Sequence, residues 1–442
     1  MNTEQRTALL ERLTDELSEK NRVSKELNQA YRPYFGINRS VSGYTEQTKQ
    51  LAYTLYADKG KGAYIWDVDD NRYLDLTMGF GVHLFGHNPD FIIDRLHKQL
   101  DEGFMLGPLH SGIGELAKAI AEMTSQERVA FFNSGTEAVI VALRLAKAKT
   151  GKQKIAFFVN AYHGTADALL TLRRDSKTFA ATELIPGIPQ SMLNDTYLLD
   201  YGSESALDFV KKHGDELAAV IIEPLQSRNP GGFNQKFLED LRQITAENNT
   251  TLIFDEVISG FRFANGGMRE ITGIQADITT YGKVIGGGMP IGVVAGKSEY
   301  IDFTDGGYWN FATNENPPSK MTFVAGTFCH HPMMIASSLA VIDQLKTADG
   351  AIQRNLNEMS ERFIKDVNNE LEQLTGGVSL VGYGSLFRFD IKNKKMSVLY
   401  HELLKRGIYI WEGRNCFLST AHSEADLAEL KTVILESVNV FA

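Results

Sequence analysis

Cysteine is scarce in this chain, long apolar runs are missing, and basic residues do not predominate. The 442 residues include two cysteines, Cys329 and Cys416, which excludes a disulfide framework or a cysteine-rich metal centre and favours a reducing cytoplasm. No apolar stretch approaches the ~18 residues of a transmembrane helix, and the charged N-terminus lacks a signal-peptide core. The 45 Lys and Arg against 55 Asp and Glu give a net charge of −10, which argues against nucleic-acid or anionic-membrane partners.

The length predicts two domains, because 442 residues exceed what one simple core accommodates. We predict an N-terminal helix and linker over 1–50, a first part of a small domain over 51–90, a large domain over 91–330 and a C-terminal small domain over 331–442. Leucines at helical spacing within the charged residues 1–31 indicate an amphipathic helix outside the catalytic fold. These are Leu9, Leu10, Leu13 and Leu17.

Apolar runs alternate with helical segments between about 90 and 330, which predicts an α/β fold with a mostly parallel sheet covered on both faces. Candidate strands cover 128–132, 154–159, 218–222, 251–254, 276–281 and 291–295. After about residue 335, a long helix and short strands indicate a smaller α+β domain. Ligands of parallel sheets bind at the carboxyl ends of strands, so residues at those ends are the first candidates for a site.

Lys283 follows one of these apolar runs and opens a glycine-rich turn. Burial at a strand end lowers the pKa of a lysine, and a neutral amine attacks carbonyl carbon to form a Schiff base. Asp255 stands at the end of the preceding apolar run, residues 251–254. A lysine that holds an aldehyde and an acid that keeps a pyridinium nitrogen protonated are the two electronic contacts of a protein with pyridoxal phosphate. Taken singly, Lys283 could be a solvated lysine and Asp255 a helix N-cap.

A third device suits the phosphate of that cofactor. The predicted strand 128–132 runs into Asn133-Ser134-Gly135-Thr136-Glu137-Ala138, and an amphipathic helix follows. Backbone N–H groups at a helix N-terminus lack partners and bind phosphate. Gly135 allows close approach, Thr136 adds a hydroxyl, and an ordinary N-cap would use the same residues.

Six motifs in order give the chain a specific resemblance. They are Asn133–Ala138, Tyr162-His163-Gly164, Glu223-Pro224, Phe254-Asp255-Glu256-Val257, Gly282-Lys283 and Gly326-Thr327-Phe328. The sequence resembles the class III aminotransferases of pyridoxal phosphate (PLP) fold type I, and within them glutamate-1-semialdehyde aminomutase, over roughly residues 40–435. The fold expected is therefore a large domain with a mostly parallel sheet plus a smaller α+β domain.

The resemblance implies roles for matching residues. Ser134, Gly135 and Thr136 would hold the phosphate, and Asp255 would pair with the ring nitrogen. Lys283 would bind the aldehyde and shuttle the proton. The remaining cofactor and catalytic candidates are Tyr162 on one ring face, Val257 on the other, Glu223 and His163 nearby, and Thr327 reaching the phosphate of a second subunit. That last role implies a homodimer with shared active sites.

One segment departs from the aminomutase pattern. Ser42 stands where that group carries a carboxylate-binding arginine, within Asn38-Arg39-Ser40-Val41-Ser42. Residues 77–87 and 407–422 resemble aminotransferase domains embedded in hybrid polyketide/nonribosomal peptide synthases of the iturin, mycosubtilin and microcystin type, with a helix at 1–31 serving as linker in a longer chain. The arginine fork binds carboxylates bidentately. Candidate contacts for substrate are Arg39, Gln226, Arg228, Arg262 and Arg414.

The sequence thus predicts an aminotransferase that converts a β-ketoacyl thioester on an acyl carrier protein to a β-aminoacyl thioester, with glutamine or glutamate as amino acid donor. One alternative is a free-standing glutamate-1-semialdehyde aminomutase or small-molecule ω-aminotransferase. Another is a catalytically inactive PLP-fold protein that serves as a binding or scaffold module, which the intact Lys283–Asp255 pair disfavours.

Overall fold

The computed structural model describes residues 3–37, 45–175, 178–318, 320–374, 377–392, 396 and 398–441. The chain divides into two compact units. The first unit joins Met1–Asp90 to Asn355–Ala442, and the second is the continuous segment Phe91–Arg354. No helix in the described ranges combines the length and the apolarity that crossing a membrane requires.

The described helices, in chain order, are α1 Thr3–Lys20, α2 Arg22–Tyr31, α3 Met78–Gly81, α4 Asp90–Glu102, α5 Gly112–Thr124, α6 Gly135–Thr150, α7 Glu204–His213, α8 Gln235–Glu247, α9 Gly267–Thr272, α10 Ser298–Ile301, α11 Pro332–Ala348, α12 Ala351–Leu374, α13 Leu399–Lys405 and α14 Glu424–Asn439. The strands are β1 Ala57–Lys61, β2 Tyr64–Asp67, β3 Arg72–Asp75, β4 Arg128–Phe132, β5 Lys154–Phe158, β6 Thr171–Leu172, β7 Glu183–Leu184, β8 Thr196–Leu199, β9 Leu217–Ile222, β10 Thr251–Asp255, β11 Ile278–Gly282, β12 Gly292–Gly296, β13 Val378–Tyr383, β14 Leu386–Ile391, β15 Ile408–Tyr409 and β16 Cys416–Phe417.

The central sheet of the second unit has the strand order β4-β12-β11-β10-β9-β5-β8 in the described residues. Strand β12 runs antiparallel to both of its neighbours, and the other pairings of this sheet are parallel. The predicted mostly parallel sheet is therefore confirmed. Helices α6, α7, α8 and α9 lie in the connections from β4 to β5, β8 to β9, β9 to β10 and β10 to β11, and parallel strands are usually connected in this way.

Side chains of the central strands alternate between two cores. In β9, Ile221 faces a cluster that includes Ala142 of α6, and Val220 faces a cluster that includes Leu241 of α8. Successive strand residues point to opposite faces, so a sheet covered on both sides needs apolar residues at every position. Every residue of Leu217–Ile222 is buried, which explains the continuous apolar run in the sequence.

The predicted strands correspond to β4, β5, β9, β10, β11 and β12, with ends displaced by at most two residues. The start of β11 shifts from 276 to Ile278 because Asp277 lies in the preceding turn. Its carboxylate accepts a hydrogen bond from the Leu252 amide at 2.9 Å and pairs with Arg242 at 2.9 Å. Strand β8 was not predicted from the sequence.

The second unit extends to Arg354, beyond residue 330 where the predicted large domain ends. Helix α11 accounts for the difference. It packs against α5 and against the turn that follows β11, where the Ser337 hydroxyl donates a hydrogen bond to the Gly286 carbonyl at 2.8 Å. This largely buried helix belongs with the sheet of the second unit.

The first unit contains two described sheets, β1-β2-β3-β15 and β13-β14-β16. Strands β2 and β3 form an antiparallel hairpin. Strand β15 pairs in parallel with β3, Ile408 opposite Leu74. The first sheet is therefore completed by β15, a strand that comes after the whole second unit in the sequence.

Helices α1 and α2 are packed parts of the first unit, which corrects the expectation of a helix outside the fold followed by a linker. Leu13 and Leu17 are fully buried. The side-chain amide of Asn21 donates hydrogen bonds to the Asp67 carboxylate at 2.9 Å and to the Tyr73 hydroxyl at 2.6 Å. Buried polar groups are costly unless they are paired, so this network ties the helices to the β2–β3 hairpin.

Candidate active site

Five strands of the second unit end at one edge of its sheet, and a predicted site residue stands at or just after each end. Ser134 follows β4, His163 lies in the loop after β5, Glu223 follows β9, Asp255 ends β10 and Lys283 follows β11. These strands run in the same direction, so their carboxyl ends meet. The sheet therefore gathers residues that are far apart in the sequence.

Lys283 opens the turn after β11 in the left-handed backbone region, with φ of 47°. Such a conformation is strained for a residue other than glycine and is often found at functional sites. The Nζ atom makes no hydrogen bond or ion pair with any residue that the structure describes. Burial lowers the pKa of Lys283, and the nearby Asp255 and Glu223 only partly oppose that effect. The amine is thus more often neutral than an ordinary lysine, as a nucleophile must be.

The Asp255 carboxylate is buried and fixed by hydrogen bonds on both oxygens. Oδ1 accepts from the Thr280 hydroxyl at 3.1 Å and from the Val257 amide at 3.1 Å. Sequence reasoning missed Thr280. It lies directly opposite Asp255 in the parallel register of β10 and β11, a pairing that local sequence patterns do not reveal.

His163 contacts Asp255 directly, which its predicted place near the cofactor did not specify. Its Nδ1 lies 2.7 Å from Asp255 Oδ2 although the residues are 92 positions apart. The ring is buried, and its Nε2 has no hydrogen-bond partner among the described residues. The contact arises because β5, β9 and β10 are neighbours in the sheet, an order that local sequence patterns do not reveal.

Glu223 joins two loops at the same edge. Its Oε2 accepts a hydrogen bond from the Tyr162 amide at 3.0 Å, and its Oε1 accepts one from the Ser227 amide at 3.3 Å. Burial raises the pKa of Glu223, and the neighbouring His163 opposes the rise. One carboxylate therefore sets the spacing between the loop after β5 and the loop after β9.

The loop after β4 has the predicted helix start. The Ser134 hydroxyl accepts a hydrogen bond from the Glu137 amide at 3.2 Å, and the Glu137 carboxylate accepts one from the Asn133 amide at 2.7 Å. A Cβ on Gly135 would lie 2.8 Å from Cγ1 of Val257, so only glycine fits there. This packing brings the N-terminus of α6, with its positive end, beside Asp255 and Val257.

Gly164 links the tyrosine loop to the same helix start. Its φ is +75°, and a Cβ there would clash with Thr136 Oγ1. The Thr136 hydroxyl accepts a hydrogen bond from the Thr165 amide at 3.3 Å. Thr136 therefore holds the tyrosine loop in place besides lining the helix N-terminus.

Two predicted cofactor residues are accessible at the surface of the second unit. Tyr162 is 47% exposed, so a ring face is open to a ligand. Thr327 is exposed in a turn that packs on the loop after β4, where the Asn133 side-chain amide lies 3.6 Å from Cys329 Sγ. The turn places Thr327 outside, where a second chain could be reached.

The substrate candidates differ sharply in access. Gln226 is buried and its amide donates to the Val159 carbonyl at 3.0 Å. Arg262 is fully buried, which lowers its pKa to about 9; neither side chain offers a substrate an exposed contact. Arg228 is exposed, with its guanidinium carbon 5.5 Å from the centre of the Tyr162 ring. Arg414 is exposed on the first unit, and Arg39 lies outside the described residues.

Together these groups suit a pyridine ring that carries an aldehyde and a phosphate. The lysine amine has no partner in the described residues, the carboxylate is held in one orientation, and a glycine-bearing helix start offers anion-binding amides. Such a donor set matches the three functional groups of pyridoxal phosphate. The residues therefore fit this cofactor.

Comparison with known proteins assigns the chain to a family. Residues 44–422 match the family described as aminotransferase class-III. A glutamate-1-semialdehyde 2,1-aminomutase of Sulfurihydrogenibium sp. is 34% identical over 432 residues, covering 92% of this chain and 96% of that protein. The enzyme of the same name from Methanosphaera stadtmanae is 35% identical over 413 residues, covering 89% and 92%.

Solved structures agree with the fold. An ω-transaminase from Sphaerobacter thermophilus superposes with a TM-score of 0.83 at 28% identity, covering 95% of this chain and 97% of its own. A structure described as a transaminase with PLP bound gives a TM-score of 0.81 at 26% identity, covering 95% and 98%. The predicted fold type I is therefore confirmed.

The predicted synthase-embedded activity is wrong. The relatives named as aminomutases match nearly their whole length, and they do not support a polyketide or peptide synthase, antibiotic biosynthesis or an acyl carrier protein partner. The prediction relied on Ser42, which lies outside the described residues, and on the resemblance of 77–87 and 407–422 to synthase-embedded domains. Similarity across the whole chain outweighs those segments.

The inactive-scaffold alternative also gives way, because relatives and structural neighbours are named as aminomutases and transaminases. The family match spans most of the chain, and the strand-end residues fit the cofactor of that family. This protein belongs to the class-III aminotransferases, enzymes that transfer amino groups with pyridoxal phosphate.

Proposed function

We propose that this chain is a glutamate-1-semialdehyde 2,1-aminomutase, which moves an amino group between neighbouring carbons of one small substrate. The observation that carries the proposal is the end-to-end similarity to relatives of that name. The two free, buried cysteines support the accompanying proposal of a cytoplasmic location.

The cofactor-binding residues follow from the site. Ser134, Gly135 and Thr136 would hold the phosphate at the N-terminus of α6. Asp255, held by Thr280 and His163, would face the ring nitrogen. The remaining assignments are Lys283 to the aldehyde, Tyr162 and Val257 to the two ring faces, and the partner's Thr327 to the phosphate.

The reaction requires that a proton leave one carbon and arrive at its neighbour. When bound, pyridoxal phosphate supplies an electron sink for the broken C–H bond. Lys283 Nζ is the base that takes the proton and returns it, because its amine is unpaired in the described residues and its pKa is lowered. Asp255 contributes a fixed negative charge that stabilises a protonated ring nitrogen.

Glu223 was predicted to be catalytic, and its contacts support a positioning role. Both of its oxygens bind backbone amides, those of Tyr162 and Ser227. It therefore sets the position of the aromatic ring that would cover the cofactor. A carboxylate engaged in this way is poorly placed to exchange protons with substrate.

The proposal is tested by comparing two reactions of the purified holoenzyme. We expect kcat/KM for isomerisation of glutamate-1-semialdehyde to exceed that for transamination from an ω-amine to pyruvate, because only the first needs no exchange of substrates. Product formation is followed by chromatography. Faster transamination than isomerisation would overturn the proposal.

A small-molecule ω-aminotransferase is the second candidate. Two observations favour it: the 28% identity to a solved ω-transaminase, and Ser42 in place of the arginine of the aminomutase pattern. The same two assays separate the candidates, since they predict opposite orders of kcat/KM.

We also infer a homodimer. In a single chain, large apolar side chains of the second unit are exposed in residues 104–109 and 308–328, and Phe311 is 93% exposed. Large exposed apolar side chains in such numbers are typical of interaction sites. Thr327 and Phe328 lie in the same stretch, so a partner at this surface would meet the residue proposed to reach its phosphate.

Light scattering of the holoenzyme is expected to give twice the chain mass of 49.2 kDa. Phe323→Glu together with Phe328→Glu should shift the mass to the monomer and reduce cofactor retention, because charges would be buried at the contact. Leu172→Glu, at an exposed leucine outside that stretch, is the matched control. An active wild-type monomer would contradict the inference.

A further inference from the structure

Arg228 stands out among the exposed cations of the second unit because its surroundings are fixed. The two residues before it, Gln226 and Ser227, are buried. Gln226 donates to the Val159 carbonyl at 3.0 Å, and the Ser227 amide donates to Glu223 at 3.3 Å. The Asn229 amide closes the turn onto the Gln226 carbonyl at 2.9 Å. An exposed guanidinium therefore rises from a rigid, hydrogen-bonded turn.

The turn aims this cation at the tyrosine of the site. The Arg228 guanidinium carbon lies 5.5 Å from the centre of the Tyr162 ring, within the range of a cation–π contact. Glu223 holds the backbone on both sides, at Tyr162 and at Ser227. An aromatic ring has two faces, so a flat ligand can cover one while a guanidinium occupies the other.

The other predicted substrate-binding residues of the second unit are poorly placed to bind a substrate carboxylate. Arg262 is fully buried, and the side-chain nitrogen of Gln226 is engaged by a backbone carbonyl. The acids at the strand ends, Asp255 and Glu223, would repel a substrate carboxylate. A permanent cation beside the aromatic ring offsets that repulsion, and its fork matches carboxylate geometry.

We propose that Arg228 is a specificity-determining residue that binds the carboxylate of an amino-acid substrate at the Tyr162 ring. The inference rests on the proposed function and deepens it, because it makes a carboxylate-bearing amine or aldehyde the substrate class. Tyr162 is then a positioning residue for the guanidinium as well as a cover for the cofactor. Charge-assisted, bidentate binding of this kind raises affinity without taking part in proton transfer.

The experiment compares two amine probes on the holoenzyme: 4-aminobutanoate, which has a carboxylate, and n-butylamine, which lacks one. Single-turnover reaction is followed by the change in visible absorbance, which gives half-saturation and maximal rate separately. For Arg228→Gln we expect half-saturation for 4-aminobutanoate to rise about 10- to 100-fold, the range for loss of a hydrogen bond to a charged group. The half-saturation and maximal rate for n-butylamine should change less than about threefold. Arg228→Lys should recover part of the lost affinity for 4-aminobutanoate.

Arg174→Gln is the matched control, because Arg174 is an exposed arginine of the same unit that pairs with Glu183. Equal losses for both probes, or an unchanged half-saturation for 4-aminobutanoate, would overturn the inference, as would a wild-type enzyme that shows no preference for the carboxylate. A carboxylate preference that depends on Arg228 in an enzyme that does not isomerise glutamate-1-semialdehyde would sustain the inference while the aminomutase proposal fails.

Discussion

Replacement of Lys283 with alanine is expected to eliminate measurable turnover. The lysine is partly buried, its pKa is lowered, and its amine has no hydrogen-bond or ion-pair partner in the described residues. Loss of its proposed proton transfer alone should cost about 10²- to 10⁴-fold in rate, and loss of its proposed bond to the cofactor aldehyde would add to that. The visible absorption of the cofactor-loaded protein should change as well, which gives a readout independent of turnover.

Lys297→Ala is the control. Lys297 directly follows β12, the strand next to β11 in the same sheet, and it pairs with Asp277 at 2.7 Å. It should leave absorption and turnover close to wild type. Circular dichroism and thermal unfolding establish that Lys283→Ala remains folded. Turnover of that folded variant at the wild-type rate would remove the mechanism proposed for this site.

The second large effect is expected from Asp255→Asn. Asparagine keeps the size of the side chain and can still accept from Thr280 and Val257, but the negative charge is lost. We expect kcat to fall about 10²- to 10³-fold, as when one preorganised electrostatic partner is removed. Cofactor should remain bound through the helix N-terminus and Lys283, measured by absorbance after dialysis.

Asp240→Asn on α8 serves as comparison, because that carboxylate pairs with Lys236 at the surface. Asp240→Asn should leave kcat unchanged. If Asp255→Asn kept wild-type kcat with cofactor bound, Asp255 would be a structural residue that orients His163 and Thr280 only.

Local patterns were enough to find six of the seven strands of the central sheet, and the candidate site residues at the ends of five of them. The apolar run before Lys283 and the run that ends in Asp255 are contiguous in sequence, so each strand could be predicted from its own residues. Ser134 and Gly135 were accessible for the same reason, because a helix start is specified within a few residues.

Contacts between strand ends were not accessible in that way. The His163–Asp255 pair, the Thr280 hydrogen bond and the Glu223 contacts depend on which strands are neighbours, and strand order is a property of the whole sheet. The substrate prediction failed for a different reason. Ser42 and the two segments 77–87 and 407–422 make up a small part of the chain, and so few residues are weak information about a substrate that many residues bind together.

The pairing of Ile408 with Leu74 has a consequence for biosynthesis. A ribosome releases the first ninety or so residues long before the strand that completes their sheet, while the second unit is uninterrupted and can mature as soon as it emerges. The early segment must therefore wait, with the edge of β3 unpaired, and an unpaired edge invites association with other chains. Pulse-labelled nascent chains that stop before residue 408 should be protease-resistant in the second unit and sensitive in the first.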